Sequence, residues 1–482
     1  MEGNNPGDNK DEKMLSYPSF EEKNEIKNEE PKQPEKKSYF QKMKGFVKGS
    51  IGEKQNPINM IKGFVSKAEK ELSLSNIKGY INKTEKEISS IKNYFKKPEK
   101  VDKNSPLLQD EERTIEEIIT SKGFKVEKHF VKTEDGYTLL VFRIPGAKDC
   151  SDPSSNPPIL FQHGIFDSAD GWVCNGEEHS LPFIFANNNF DIWISNSRGN
   201  KYCKTHERYE NTSFEFWQFS FHEMGLYDIP AVINYINTIN KSGEKIIYFG
   251  HSQGTSLMFS GLTKKFEFYK KNIKLFVALA PVARLTHIRE TLNIIGNLSV
   301  PELIKKVKVY EMAPNNKVSS NLMSFIDNHA SLITNFFINL ICDTNSKECN
   351  DPNALSVFLK HSPSGCSLKC LIHFVHLIKL KMFCHYDYEK EANFALYHQS
   401  IPPIYDLSVI KDFPIMLIGG ELDKLGTPED VKWLNFELSK NGNVIYFKIF
   451  PNMGHLSFMV AKDFSWFEEP YQIIMNQFTP KK

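Results

Sequence analysis

One serine, one aspartate and one histidine occur in this chain in an order and in surroundings that suit acyl transfer. The serine stands in Gly250-His251-Ser252-Gln253-Gly254. An apolar run, Ile246-Ile247-Tyr248-Phe249, precedes it, and a helix-like stretch, Thr255 to Phe259, follows. A strand, a sharp turn and a helix are what a nucleophile elbow requires. The flanking glycines remove Cβ atoms that would crowd so tight a turn. A serine hydroxyl is a poor nucleophile at neutral pH, so it needs a base, and the base needs an orienting carboxylate. In chain order the acid follows the serine and the histidine comes last, each just after a strand. Asp423 ends Pro414-Ile415-Met416-Leu417-Ile418-Gly419-Gly420-Glu421-Leu422-Asp423. His455 closes Pro451-Asn452-Met453-Gly454-His455, behind the apolar run Val444 to Phe450. Glu421 and Asp430 are local rivals for the acid, and the chain holds 14 histidines. Negative charge developing on an attacked carbonyl oxygen needs two fixed N–H donors. The Gln253 amide is one, and Gln162-His163-Gly164-Ile165, ending an early strand, offers Ile165 as the other. This chemistry needs no metal and no cofactor. Cys366 and Cys370 lack the second pair that would complete a zinc site.

The elements that must position these residues are legible as alternating patterns. Strands are expected at Tyr137–Arg143, Pro158–Gln162, Asp191–Ile194, Lys245–Phe249, Lys274–Ala280, Pro414–Ile418 and Val444–Phe450. Helices are expected at Met224–Ile239, Val431–Ser439 and Pro470–Phe478. Strands alternating with helices imply an α/β fold, with a mostly parallel central sheet and helices on both faces. Residues 285–405 interrupt the rhythm with helical, apolar, cysteine-bearing sequence, as an inserted cap would. The core then divides into 112–284 and 406–480.

The 482 residues suffice for one large domain with additions, and 40% apolar content can build its core. A net charge of +1 gives no sign of a nucleic-acid partner. Eight cysteines scattered over such a length do not make a disulfide scaffold. Residues 1–35, with ten acidic residues and five lysines, read as a disordered acidic tail. Residues 36–100 read as a lysine-rich amphipathic segment. Between 36 and 97 there are fifteen lysines against five glutamates. Ile61-Lys62-Gly63-Phe64-Val65 recurs as Ile77-Lys78-Gly79-Tyr80-Ile81 inside a longer repeat. Apolar residues at helical spacing with lysines on the other faces can lie in a lipid interface. Residues 40–97 are therefore the expected contact with a lipid droplet or membrane surface. A solvated charged helix or coiled coil is the plainer alternative. No secretory signal and no span of roughly 18 apolar residues is visible. The expected place is the cytosolic side, peripheral on lipid, with the lysosome or endosome as the alternative.

The motifs together resemble the acid lipase family, which includes gastric and lysosomal acid lipases and steryl ester hydrolases. The resemblance covers about residues 112–480. It rests on Glu134-Asp135-Gly136-Tyr137, Gln162-His163-Gly164, Asn196-Ser197-Arg198-Gly199-Asn200 and Glu215-Phe216-Trp217. Tyr227-Asp228-Ile229-Pro230, the Ser252 pentapeptide, His361-Ser362-Pro363-Ser364-Gly365 and Tyr397-His398-Gln399-Ser400 also match. The resemblance implies an α/β-hydrolase fold, Ser252 as nucleophile, Asp423 as acid and His455 as base, and oxyanion donors at Ile165 and Gln253. It implies a lipase acting on triacylglycerol or steryl ester. A non-catalytic lipid-surface protein on the same fold, a soluble carboxylesterase and an acyltransferase are the alternatives. Two departures stand out: Leu425-Gly426-Thr427-Pro428 where the family carries Leu-Ala-Asp-Pro, and Leu456-Ser457-Phe458 where it carries Leu-Asp-Phe. Secreted members carry a cysteine pair upstream of the position of Cys342; residues 318–341 here hold no cysteine.

Overall fold

The computed structural model describes residues 101–150, 155–288, 310–313 and 348–478. The acidic tail, the lysine-rich repeats, the contact expected at 40–97 and Cys342 lie outside these residues. Their strands are β1 Glu127–Lys132, β2 Tyr137–Ile144, β3 Pro158–Gln162, β4 Asp191–Ser195, β5 Thr205–His206, β6 Ile246–His251 and β7 Ile273–Leu279, followed by β8 Glu311–Met312, β9 Cys366–Ser367, β10 Ile415–Gly420 and β11 Val444–Phe450. Nine of them form one sheet in the order β1-β2-β4-β3-β6-β7-β10-β11, with β5 paired to β2. From β4 to β11 every pairing is parallel, while β1, β2 and β5 add antiparallel pairs at one end. The strands β3, β4, β6 and β10 are buried at every residue. A parallel strand covered on both faces reads as a continuous apolar run, which is why these strands were plain in the sequence. Each buried Ile, Leu or Phe in them contributes about 1.5–3 kcal/mol.

The helices used below are α1 Ile115–Ser121, α2 Leu181–Asn187, α3 Ile229–Ile239, α4 Gln253–Lys264, α5 Phe266–Asn272, α6 Pro352–His361, α7 Leu368–Leu380, α8 Lys390–Tyr397, α9 Pro428–Ser439 and α10 Glu468–Gln477. Local chemistry sets several of their ends. Thr114 and Glu117 form a reciprocal capping box at the start of α1. Thr427 caps α9, with Pro428 in its first turn. The helix expected over Met224–Ile239 is broken in two. Met224–Asp228 form a wide π turn, and α3 begins at Ile229. Ile229 N–H reaches back to Met224 O, and Pro230 brings no N–H, so regular α pairing cannot run through this point. The edge strand β1 carries no clear strand signal in its sequence. It is half exposed and carries three charged residues, which hides its alternation.

Between β7 and β10 the chain leaves the sheet. The described part of this excursion holds α6, α7, α8 and the small β8–β9 pair. Cys150, Cys174, Cys203, Cys349, Cys366, Cys370 and Cys384 are free thiols. Among the described residues no helix is long and apolar enough to cross a membrane.

Candidate active site

In a parallel sheet all carboxyl ends lie on one side, and loops leaving that side can converge. The loops after β3, β6, β10 and β11 carry His163–Ile165, Ser252, Asp423 and His455. Ser252 connects β6 to α4 with φ 54° and ψ −119°. A non-glycine residue in this region costs on the order of 1–3 kcal/mol and persists only where its surroundings fix it. Its N–H donates to Leu279 O at 3.1 Å, and its carbonyl accepts from Thr255 N at 2.8 Å. The flanking glycines are required by contact. A Cβ on Gly250 would stand 2.6 Å from Gly254 O, and one on Gly254 would stand 2.5 Å from Gln162 O. Both opposing atoms are backbone and cannot swing aside. Gly254→Ala is therefore expected to destabilise the protein by about 1–3 kcal/mol. It should also lower ester hydrolysis by about 10²-fold, because elbow and β3 loop must shift apart. Thermal melting and kcat/KM on a soluble ester check the two effects.

His455 brings its imidazole to the serine. Ser252 Oγ lies 2.7 Å from His455 Nε2, and His455 Nδ1 lies 2.8 Å from Asp423 Oδ2. All three are buried, His455 completely. The carboxylate can only accept, so Nδ1 carries the proton and Nε2 is left to accept from the serine hydroxyl. The other carboxylate oxygen, Asp423 Oδ1, accepts from Leu425 N and Gly426 N, each at 2.8 Å. The rivals lie elsewhere. Glu421 accepts from Asn452 N, while Asp430 binds Arg284, Thr286 N and His287. At Ser457, where the family pattern carries aspartate, the hydroxyl accepts Gly454 N–H at 2.9 Å, so the turn before His455 keeps an acceptor.

The β3 loop packs against the nucleophile. A Cβ on Gly164 would lie 3.0 Å from Ser252 Cβ and 3.4 Å from its Oγ, so only glycine leaves the space above the hydroxyl open. His163 fixes this loop. Its Nδ1 donates to Gly164 O at 2.7 Å, and its Nε2 accepts Ser197 N–H at 3.0 Å. Burial pushes the His163 pKa down to about 4, so the ring stays neutral in this tautomer. Ile165 follows Gly164 and is buried. Gln253 heads α4, where the first amides of a helix have no intrahelical acceptor. Its side-chain oxygen accepts Cys370 S–H at 2.9 Å, which ties α7 to the residue after the serine. The arrangement can deprotonate a serine hydroxyl and present N–H groups beside it.

Several motifs that stand far apart in sequence meet in space. Arg198 pairs with both oxygens of Asp135, at 2.6 and 2.8 Å, and with Asp228 at 2.5 Å, while its guanidinium stacks on Tyr137. This buried pairing anchors the loop from which Ser197 reaches His163. Sequence reasoning gave no role to His251 or His361. His251 Nε2 donates to His455 O at 2.9 Å and so holds the backbone of the histidine. The only hint in the sequence was its place beside Ser252. His361 joins the β3 loop through Asp170.

Comparison with known proteins identifies the family. Residues 115–176 match the partial α/β-hydrolase lipase region, and residues 157–347 match the α/β hydrolase fold. The chain is 35% identical over 377 residues to gastric triacylglycerol lipase of Homo sapiens, which covers 76% of this chain and 91% of that protein. It is 35% identical over 361 residues to lysosomal acid lipase/cholesteryl ester hydrolase of Macaca fascicularis, covering 73% and 88%. It is 34% identical over 364 residues to lipase member K of Mus musculus, covering 72% and 87%. The chain belongs to the acid lipase family of α/β-hydrolases and is a carboxylic ester hydrolase.

Proposed function

We propose that this protein is a serine-dependent lipase that hydrolyses ester bonds of neutral lipids, triacylglycerol or steryl ester, through an acyl-enzyme. The observation that carries this reading is the continuous chain from Ser252 Oγ to His455 at 2.7 Å and on to Asp423 at 2.8 Å. Ser252 attacks the ester carbonyl as His455 Nε2 takes its proton. The new oxyanion rests on the amides of Ile165 and Gln253. His455 then protonates the leaving alcohol. The acyl group stays on Ser252 until water, deprotonated by the same imidazole, releases the fatty acid. Asp423 holds the imidazole tautomer and stabilises the imidazolium.

The excursion at 285–405 serves as a cap over the site, with 112–284 and 406–480 as the core. The relatives named for triacylglycerol and cholesteryl ester support the substrate class. Hydrolysis of triolein, cholesteryl oleate and p-nitrophenyl butyrate by the full chain tests it. Turnover of the soluble ester alone makes the protein a carboxylesterase. Product ester formed with an added alcohol makes it an acyltransferase. Failure of a fluorophosphonate to label Ser252 leaves a non-catalytic lipid-binding protein.

Neutral lipid sits at an interface, and the basic repeats at 40–97 are the proposed means of reaching it. Deleting them should lower activity on emulsions about tenfold while sparing the soluble ester, the signature of lost interfacial binding. Equal loss on both substrates would contradict that role. The lysosomal enzymes among the relatives favour a lysosomal or endosomal location over the cytosolic side, which imaging of a fluorescent fusion decides.

A further inference from the structure

Residues 361–365 form a strap that crosses the β3 loop. Ser364 N–H donates to Phe166 O at 2.7 Å, and Lys201 N–H donates to Ser364 O at 2.7 Å. Ser362 Oγ donates to Asp167 at 3.4 Å, and the Ser364 and Ser168 hydroxyls stand 3.3 Å apart. Phe166, the residue after Ile165, sits at φ 62°, a backbone state that a non-glycine residue keeps only under constraint. The strap supplies that constraint, one residue from a proposed oxyanion donor.

The charged centre of this brace is His361. Its Nδ1 lies 3.0 Å from Asp170 Oδ2, and its Nε2 lies 2.9 Å from Asp110 O. Both partners can only accept. The ring satisfies both only when both nitrogens carry protons, that is, as imidazolium. The groups packed around it come from three segments. Asp170 and the Cys174 thiol follow Ser168, and Asp167 lies just before. Lys201 and Tyr202 come from the loop after β4, and both bind Asp170. Asp110 comes from the turn Pro106–Glu111, with its carboxylate paired to Arg113 and Lys122. Burial works against a charged ring here. The Asp170 carboxylate and the Asp110 carbonyl outweigh it and raise the His361 pKa above 6.5.

We propose that His361 is a positioning residue for the oxyanion loop, that its doubly protonated ring ties the Asp170 end of that loop to the strap, and that hydrolysis weakens when the ring gives up one proton. The proposal rests on the reading that Ile165 stabilises the oxyanion. The sign follows from the two acceptors. Below about pH 6.5 the brace is complete, and it is lost as pH rises through the higher folded-state value. The enzyme would then lose its oxyanion geometry on the alkaline side.

The test is kcat and KM for p-nitrophenyl butyrate between about pH 5 and pH 9, on the full chain. Each rate is normalised by fluorophosphonate titration of active sites and accompanied by a thermal melt. Wild type should lose about tenfold in kcat above neutral pH with little change in KM, as expected for a small misplacement of a transition-state donor. Asp170→Asn removes the charge that favours the imidazolium and should move this decline toward acid pH. His361→Gln, with similar volume, offers one donor nitrogen and one acceptor oxygen where two acceptors wait, so it should lie near the alkaline level of wild type at every pH. A structural role alone would lower all rates by one factor. Wild-type profiles in both variants, or one uniform factor in both, would overturn the inference while leaving the serine mechanism intact. If Asp170→Asn fails to fold, the His361→Gln profile alone decides. No hydrolysis by wild type would overturn the proposed function and this inference together.

Discussion

Ser252→Ala should abolish ester hydrolysis, with kcat reduced by about 10⁴–10⁶-fold and fluorophosphonate labelling lost. The expectation follows from what remains. His455, Asp423 and the Gln253 amide stay in place, because Ser252 holds its elbow through backbone hydrogen bonds to Leu279 and Thr255. Alanine has the same Cβ, so the strain at φ 54° is unchanged. Only the hydroxyl and its bond to His455 disappear, at about 0.5–1.5 kcal/mol of stability. The melting temperature should therefore move little while turnover vanishes. Retention of more than about one hundredth of the activity would mean that another group attacks the ester, and the acyl-enzyme route on Ser252 would be wrong.

Asp423→Asn should cost about 10³–10⁴-fold in kcat with the fold retained. Leu425 N–H and Gly426 N–H both point at Oδ1, so the asparagine must keep its oxygen there. Its NH₂ group then faces His455 Nδ1, where the carboxylate oxygen stood at 2.8 Å. Two donors cannot face each other, so Nδ1 must become an acceptor and the imidazole proton must move to Nε2. That nitrogen would point an N–H at Ser252 Oγ and could not take its proton. Because the cause is the wrong tautomer, labelling by a fluorophosphonate should slow in parallel with hydrolysis. Asp423→Asn at near wild-type rate would place the orienting acid elsewhere, and Glu421 and Asp430 are both occupied by other partners.

Much of the frame is legible in the sequence. Pro158–Gln162 and Val444–Phe450 form strands over the expected residues, and the other expected strands shift by only one or two positions. Central parallel strands are buried on both faces, so their signal is a run of apolar residues and needs no partner to be seen. The edge strand β1 lacks that signal because water covers part of it. The broken helix at Met224–Asp228 was missed for a different reason. Its apolar spacing continues through Pro230, and the π turn answers to a missing N–H together with close packing of Gly225 on Leu257.

The local states are written in the sequence: strand, tight turn and helix around Ser252, an acid and a histidine just past later strands, and a glycine after His163. These follow from short-range rules about Cβ crowding, apolar runs and chain order. Which side chains meet is set by folding across long stretches of chain. Ser252 and His455 are 203 positions apart, and Asp170 and His361 are 191 apart, yet each pair is within hydrogen-bond reach. Such contacts depend on the register of a nine-stranded sheet and on how an excursion folds back across its edge. No local pattern encodes either. The same is true of protonation. The His163 tautomer, the donor from His251 to His455 and the doubly protonated form of His361 are each set by obligate acceptors and donors brought from other segments.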